Sequence, residues 1–168
     1  MFTVERTTKA TPDEVWDVLA NGWLFTAWVV GASRMRAVEP QWPAVGAKVH
    51  HSVGGWPAVL DDETQVAVSE PGERLVLEAR IRPLGQARVE LTLTPTGQGT
   101  RVRMREDFFR GPGRLVPVPV RQGAMWIRNR EALNRLVYLA ERRTSPGPNP
   151  SPTPRPTPSA DHRESLRS

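Results

Sequence analysis

Three polar residues fall on strand positions that the alternation of side chains assigns to an apolar face. In the segment Lys48–Val53, valines on either side of His51 place its imidazole on that face. In the next predicted strand, from about Leu60 to Val68, Asp62 and Thr64 share the side of the apolar residues. Polar side chains on a face that is otherwise apolar are candidates for a binding or catalytic site.

A histidine and a carboxylate that face one cavity could bind a polar ligand group or move a proton. If the turn between the two strands is centred near Gly55, His51 lies diagonally near Asp62, within reach of a side-chain contact. The alternative is that both side chains lie near the cavity rim, where water or backbone groups satisfy them.

Glu106 is the third candidate for acid–base chemistry. It lies on the inner face of a predicted strand, Thr100–Phe109, and shares that face with Val102, Met104 and Phe108. Burying a carboxylate among apolar side chains costs several kcal/mol unless it meets a partner or a wet pocket. We therefore expect either a ligand-receiving cavity at Glu106 or an inward Arg or His that holds it.

A long amphipathic helix, at about Pro119–Arg142, is predicted to cover this apolar face. A helix of this length spans about 36 Å and can cross a whole sheet, which leaves room for a pocket between the two. Arg128 and Arg135 are predicted to lie on its outer side. Its inner positions, at helical spacing, are Gln122, Trp126, Asn129, Leu133, Leu136 and Ala140.

The remaining predicted elements are two short helices and four further strands. Thr11 as a capping hydroxyl, Pro12 and Glu14 predict a capped helix over Thr11–Ala20, and the apolar stretch Trp23–Trp28 predicts a second one. The other predicted strands are Phe2–Lys9, Ser33–Glu39, Arg74–Arg82 and Gln86–Thr94.

Several kinds of chemistry are not expected. The chain has no cysteine, so disulfides and thiolate catalysis are excluded. His50 and His51 are strand neighbours that point to opposite faces, and His162 lies far away in the tail, so no metal site is expected. No phosphate loop, dinucleotide fingerprint or nucleophile elbow is present, and we expect no cofactor.

Arginines dominate the outer face of the last three predicted strands. They lack the interleaved aromatic residues that usually accompany nucleic-acid binding, so no nucleic-acid partner is expected. With a turn near Gly97, Glu90 faces Arg105 and Arg88 faces Asp107, which predicts cross-strand ion pairs on a solvated face.

The 168 residues predict one domain, residues 1–143, followed by a tail, residues 144–168. In the tail every second residue from Pro146 to Pro158 is proline and little can be buried, so we expect it to be extended and disordered. The N-terminus lacks the apolar core of a signal peptide, and no stretch is long enough to span a membrane. We therefore expect a soluble, cytoplasmic protein that is a monomer or a weak dimer.

The order of elements resembles the helix-grip fold of the START/Bet v 1-like (SRPBCC) superfamily, an α+β fold in which a curved antiparallel sheet of about seven strands wraps on a long C-terminal helix. Within it, the chain is similar to the polyketide cyclase/dehydrase and lipid-transport family. The residues that carry the resemblance are the segment from Thr11 to Trp16, Trp23, Trp28, the run from His50 to Pro57, and Glu106 with Asp107.

The resemblance implies a cavity for a hydrophobic small molecule, lipid-like or polyketide-like. One hypothesis is a binding protein. The alternative is a cyclase or dehydratase-type enzyme with Glu106, His51 or Asp62 as the acid–base residue. The candidate ligand-binding residues are Trp28, His51, Trp56, Asp62, Thr64, Leu77, Ile81, Leu91, Met104, Glu106, Trp126, Asn129 and Leu133.

Overall fold

A seven-stranded antiparallel sheet holds a long C-terminal helix in its concave face. The computed structural model describes residues 2–54, 59–81, 85–111 and 118–144. The strands are β1 (Phe2–Thr8), β2 (Ala32–Val38), β3 (Lys48–Val53), β4 (Leu60–Glu70), β5 (Arg74–Ile81), β6 (Gly85–Thr96) and β7 (Gly99–Arg110). The helices are α1 (Pro12–Ala20), α2 (Phe25–Trp28) and α3 (Val118–Thr144), with a 3₁₀ turn at Gly22–Leu24 between the first two.

The strands lie in the order β1-β7-β6-β5-β4-β3-β2, so consecutive strands are neighbours except at one crossover. That crossover runs from β1 at one edge to β2 at the other and contains the short helices. The α3 helix contacts β1, β7, α1 and α2. This arrangement confirms the predicted helix-grip fold.

The first helix begins as its sequence predicts. The side chain of Thr11 accepts a hydrogen bond from the Glu14 amide, while the Glu14 carboxylate accepts one from the Thr11 amide. This capping box satisfies donors that the first helical turn leaves without partners. Val15, Val18 and Leu19 then bury the inner face of α1.

The last hairpin sets the register of the strands that carry Glu106. Gly99 has a φ of +135°, and a Cβ there would lie 2.1 Å from the Thr8 carbonyl oxygen, so only glycine fits this turn. Arg88 lies opposite Asp107 and Glu90 opposite Arg105 in the β6–β7 ladder, which is the predicted register. Arg88 and Glu90 form ion pairs with Glu78 and Arg74 of β5, which link the outer faces of β5 and β6.

Alternation along β7 sorts side chains as the sequence predicts. Val102, Met104 and Glu106 are buried, whereas Arg101, Arg103 and Arg105 are exposed. The same rule separates the two histidines of β3, because His51 is buried while His50 is half-buried and lies 3.8 Å from the Glu39 carboxylate. The backbone register therefore delivers His51 and Glu106 to the concave face.

None of the helices in the described part of the chain combines the length and hydropathy that a membrane crossing requires. The predicted tail, apart from its first residue, lies outside the described residues.

Candidate functional site

A cavity of about 280 Å³ lies between the concave face of the sheet and the helices. Most of its wall is apolar, and six polar side chains interrupt it. The described residues that line it are Phe25, Trp28, Val29, Val30, Gly31, Ala32, His51, Val53, Thr64, Leu77, Ala79, Arg80, Val89, Met104, Glu106, Arg128, Asn129 and Ala132.

A cluster of aromatic rings forms the wall beside β3. The Phe25 ring stacks on the His51 imidazole with centroids 5.0 Å apart and an angle of 29° between planes. Trp28 and Trp42 contact the same phenyl ring edge-on, at 5.5 Å and 6.3 Å. These contacts fix the orientation of the imidazole, because a stacked ring has little freedom to rotate.

His51 presents one nitrogen to the protein and leaves the other without a partner. Its Nε2 lies 3.0 Å from the Thr64 hydroxyl oxygen on β4, and its Nδ1 is buried with no partner at hydrogen-bonding geometry. Burial lowers the pKa of His51 below its ordinary value of 6.5, an effect that the nearby Asp62 carboxylate opposes. The imidazole is therefore neutral at neutral pH, and Nδ1 can accept or donate a proton according to its tautomer.

Glu106 is buried to 1% exposure at the centre of β7. Arg128 of α3 donates from Nη2 to its Oε1, so an ion pair joins the sheet to the helix. The second carboxylate oxygen, Oε2, is buried without a hydrogen-bond partner. The expectation of an inward arginine beside Glu106 is confirmed, but the prediction that Arg128 lies on the outer side of the helix is wrong.

Asn129 follows Arg128 on α3 and is also 1% exposed. Its Nδ2, which can only donate hydrogen bonds, is buried without a partner. Three residues of the cavity wall thus carry an unsatisfied buried polar atom. These atoms are His51 Nδ1, Glu106 Oε2 and Asn129 Nδ2.

The charges on the wall are paired. Arg128 pairs with Glu106, and Arg80 of β5 places Nη2 3.1 Å from the Glu63 carboxylate. Both arginines among the described wall residues therefore have a protein carboxylate beside them. Glu63 is not a wall residue, and its Oε1 also lies 3.4 Å from Lys48 Nζ, so on the described wall only the Arg128–Glu106 pair has both of its charges.

The structure brings seven of the predicted ligand-binding residues to the cavity wall: Trp28, His51, Thr64, Leu77, Met104, Glu106 and Asn129. Leu91 and Leu133 are fully buried in the core behind the wall. Trp56 lies outside the described residues, and so does the side chain of Ile81.

Asp62 is buried but is not part of the wall. It lies directly opposite His51 in the β3–β4 ladder, not diagonally as predicted, and its Oδ1 accepts a hydrogen bond from the Glu63 amide. Thr64, one alternation further along β4, is the residue that reaches the imidazole.

The predicted inward orientation of Trp126 is wrong. Its side chain is 43% exposed, and the Arg130 guanidinium lies over the ring at 5.1 Å from its centroid. Met125 is buried in its place, and the inner stripe continues through Asn129 and Ala132. The contact with Arg130, one helical turn away, therefore holds the ring on the exposed side of α3.

Several wall residues were not among the predicted ligand-binding residues, including Phe25, Arg80, Arg128 and Ala132. The signal for Phe25 was present, because the run from Trp23 to Val30 is too apolar for a solvated connection. The two arginines gave no such signal, because long charged side chains on outer positions usually extend into solvent.

The polyketide cyclase/dehydrase and lipid transport family is matched over residues 1–141. This chain is a member of that family. Its match covers nearly all of the described residues, and every element of the helix-grip fold lies within it or ends just beyond it. A comparison with curated protein sequences finds no match.

Solved structures share the fold of this chain. Protein MLL2253 from Mesorhizobium loti is 26% identical to this family member, with a TM-score of 0.60 over 83% of this chain and 96% of that one. A protein from Rhodobacter sphaeroides is 24% identical, with a TM-score of 0.64 over 83% and 91%. The di-domain ARO/CYC StfQ from the steffimycin biosynthetic pathway is 14% identical, with a TM-score of 0.67 over 85% and 51%, and shares the fold.

Proposed function

We propose that this protein binds a hydrophobic small molecule in the cavity between the sheet and α3. One observation carries the proposal: an apolar wall that includes three buried polar atoms without protein partners. Buried polar groups are nearly always hydrogen-bonded, because an unsatisfied one costs about 1–3 kcal/mol. A ligand with polar groups would satisfy these atoms while its apolar body fills the cavity.

The size of the cavity favours a compact ligand. An apolar cavity of about 150 Å³ holds a benzene molecule. A volume of about 280 Å³ therefore suits a compound of about two or three fused rings, or a short branched chain. Family membership supports this proposal, because polyketides and lipids are largely apolar molecules.

A second candidate function is proton transfer to or from the bound compound, as in a cyclase or dehydratase. The geometry of His51 favours it, since a neutral imidazole is held by Phe25 and Thr64 with Nδ1 unpaired. If Nε2 donates its hydrogen to Thr64, Nδ1 keeps a lone pair and can act as a general base. Glu106 Oε2 is the other unpaired group that could accept a proton.

The binding proposal is tested with N-phenyl-1-naphthylamine, a neutral apolar probe whose fluorescence rises when it leaves water. We expect saturable binding at one site per chain. Ala132→Leu places a larger side chain on the cavity wall and should abolish the binding. Trp23→Ala removes an aromatic ring that is 61% exposed and lies outside the cavity, and should leave it unchanged.

Binding of the probe that does not saturate, or that survives Ala132→Leu, would overturn the proposal.

The enzyme alternative is tested separately. Proton NMR measures the exchange of the methyl protons of 2-acetylnaphthalene with D₂O. Exchange faster than in buffer and lost in His51→Gln would favour catalysis. Binding without such acceleration would favour a carrier.

A further inference from the structure

The polar atoms on the cavity wall specify more than a hydrophobic ligand. Asn129 Nδ2 can only donate a hydrogen bond, and the carboxylate oxygen Oε2 of the ion-paired Glu106 can only accept one. A ligand that satisfies both must carry an acceptor and a donor. Both side chains are 1% exposed, so once the apolar part of a ligand fills the cavity, water cannot reach these atoms freely to supply the missing hydrogen bonds.

Charge on the wall works against an acidic ligand. Arg128 is already paired with Glu106, the wall's carboxylate, and Arg80 pairs with Glu63, which it shares with Lys48. A ligand carboxylate would therefore have to compete with Glu106 for Arg128, and it would bring a second negative charge towards Glu106 Oε2. Like charges in a site of low dielectric constant repel strongly.

The imidazole adds no positive charge. Burial lowers the pKa of His51, so at neutral pH its Nδ1 offers a neutral hydrogen-bonding group. The wall thus combines neutral or ion-paired polar groups with an aromatic surface at Phe25 and Trp28.

We infer that the cavity takes an electrically neutral, ring-sized compound with a hydroxyl group and a second oxygen, and that it discriminates against carboxylates such as free fatty acids. The ligand hydroxyl donates to Glu106 Oε2, and a ligand oxygen accepts from Asn129 Nδ2. This inference rests on the proposed binding function and specifies its ligand class.

Three probes of one shape test it by calorimetric titration at pH 7.5. These are 2-naphthol, which is neutral and can donate, 2-methoxynaphthalene, which is neutral but cannot donate, and 2-naphthoate, which is an anion. We expect 2-naphthol to bind about 10-fold more tightly than 2-methoxynaphthalene, the effect of one buried hydrogen bond. We expect 2-naphthoate to bind at least about 100-fold more weakly than 2-naphthol.

Glu106→Gln keeps the shape of the side chain and removes its charge. It should narrow the ratio of the 2-naphthol and 2-naphthoate affinities by about 10-fold or more. Glu131→Gln makes the same change of net charge on the solvent side of α3, where Glu131 pairs with Arg135, and should leave the ratio as it is.

Wild-type protein alone suffices to overturn the inference, whether or not Glu106→Gln folds. Equal or tighter binding of 2-naphthoate contradicts it, and so does equal binding of the two neutral probes. If none of the three binds while N-phenyl-1-naphthylamine does, the inference fails and the proposed function stands. If N-phenyl-1-naphthylamine also fails to bind, both are wrong.

Discussion

Arg128 on α3 donates a hydrogen bond to Glu106 on β7 and thereby joins the long helix to the sheet at the cavity wall. The carboxylate is 1% exposed, whereas the arginine side chain is 35% exposed. The pair thus has a buried end and an end that reaches towards solvent. It compensates the charge of Glu106 and leaves one carboxylate oxygen unpaired.

Removal of the arginine should leave a buried carboxylate without compensation. Breaking a fully buried pair costs about 3–5 kcal/mol. Because the guanidinium is partly exposed and screened, we expect Arg128→Met to lower the free energy of unfolding by about 2 kcal/mol. Urea denaturation measures the change. Arg135→Met breaks the exposed pair with Glu131 and should cost only about 0.5 kcal/mol.

The double variant Arg128→Met/Glu106→Gln separates two contributions to the loss of stability, the lost packing of Arg128 and the buried charge of Glu106 left without its cation. Gln is neutral, so the double variant should be more stable than the sum of the two single effects predicts. Additive effects would show that no energetic coupling links the two side chains.

Strand parity predicted the inward orientation of Glu106, but the sequence did not identify Arg128 as its partner. In a strand, inner and outer positions alternate strictly, so apolar Val102 and Met104 fix the face of Glu106. On a helix, positions next to the inner stripe are ambiguous. Arg128 adjoins Asn129 there, and its long side chain can turn inward to meet a buried charge.

The same ambiguity explains Trp126. Met125 and Trp126 are both apolar and lie four and three residues before Asn129, so either could continue the inner stripe. The structure buries Met125 and stacks Trp126 with Arg130. The order of the elements, the capping box and the β6–β7 register followed from short-range patterns. The rim of the cavity depends on tertiary contacts that such patterns do not contain.

The cavity should accept an added side chain that the close-packed core rejects. Ala132 lines the cavity, whereas Ala140 is fully buried further along the same helix and is not part of the wall. We expect Ala132→Leu to change the free energy of unfolding by less than about 1 kcal/mol and Ala140→Leu to lower it by about 1–3 kcal/mol. Equal destabilisation in urea denaturation would indicate that no usable space lies beside Ala132.

The free energy of unfolding should decrease as the pH is lowered, because of His51. Its folded-state pKa is lowered by burial, with Arg36 and His50 adding to the effect and with Asp62 and the Ser52 backbone opposing it. The unfolded chain therefore binds this proton more readily. The contribution of His51 to stability is present above about pH 6.5 and is lost as the pH falls towards the folded-state pKa.

His51→Gln removes this titration and keeps an amide that can bond to Thr64. Between pH 7.5 and pH 5, we expect the wild type to lose more unfolding free energy than this variant. Parallel curves for the two proteins would show that protonation of His51 is not coupled to folding.

Truncation after Arg143 should leave the domain intact. The proline-rich tail offers little to bury, and the family match ends at residue 141. We expect the free energy of unfolding to change by less than about 0.5 kcal/mol. A drop of several degrees in the melting temperature would show that the tail packs on the domain.

The most direct test of the account locates the bound compound. Amide chemical shifts are recorded by two-dimensional NMR while N-phenyl-1-naphthylamine is added to ¹⁵N-labelled protein. We expect saturable shifts at residues of the cavity wall, such as Thr64, Ala79 and Ala132, and little change at Thr7 or Gln98, which do not line it. Shifts that do not saturate, or that cluster at Thr7 and Gln98 and leave the wall unchanged, would contradict it.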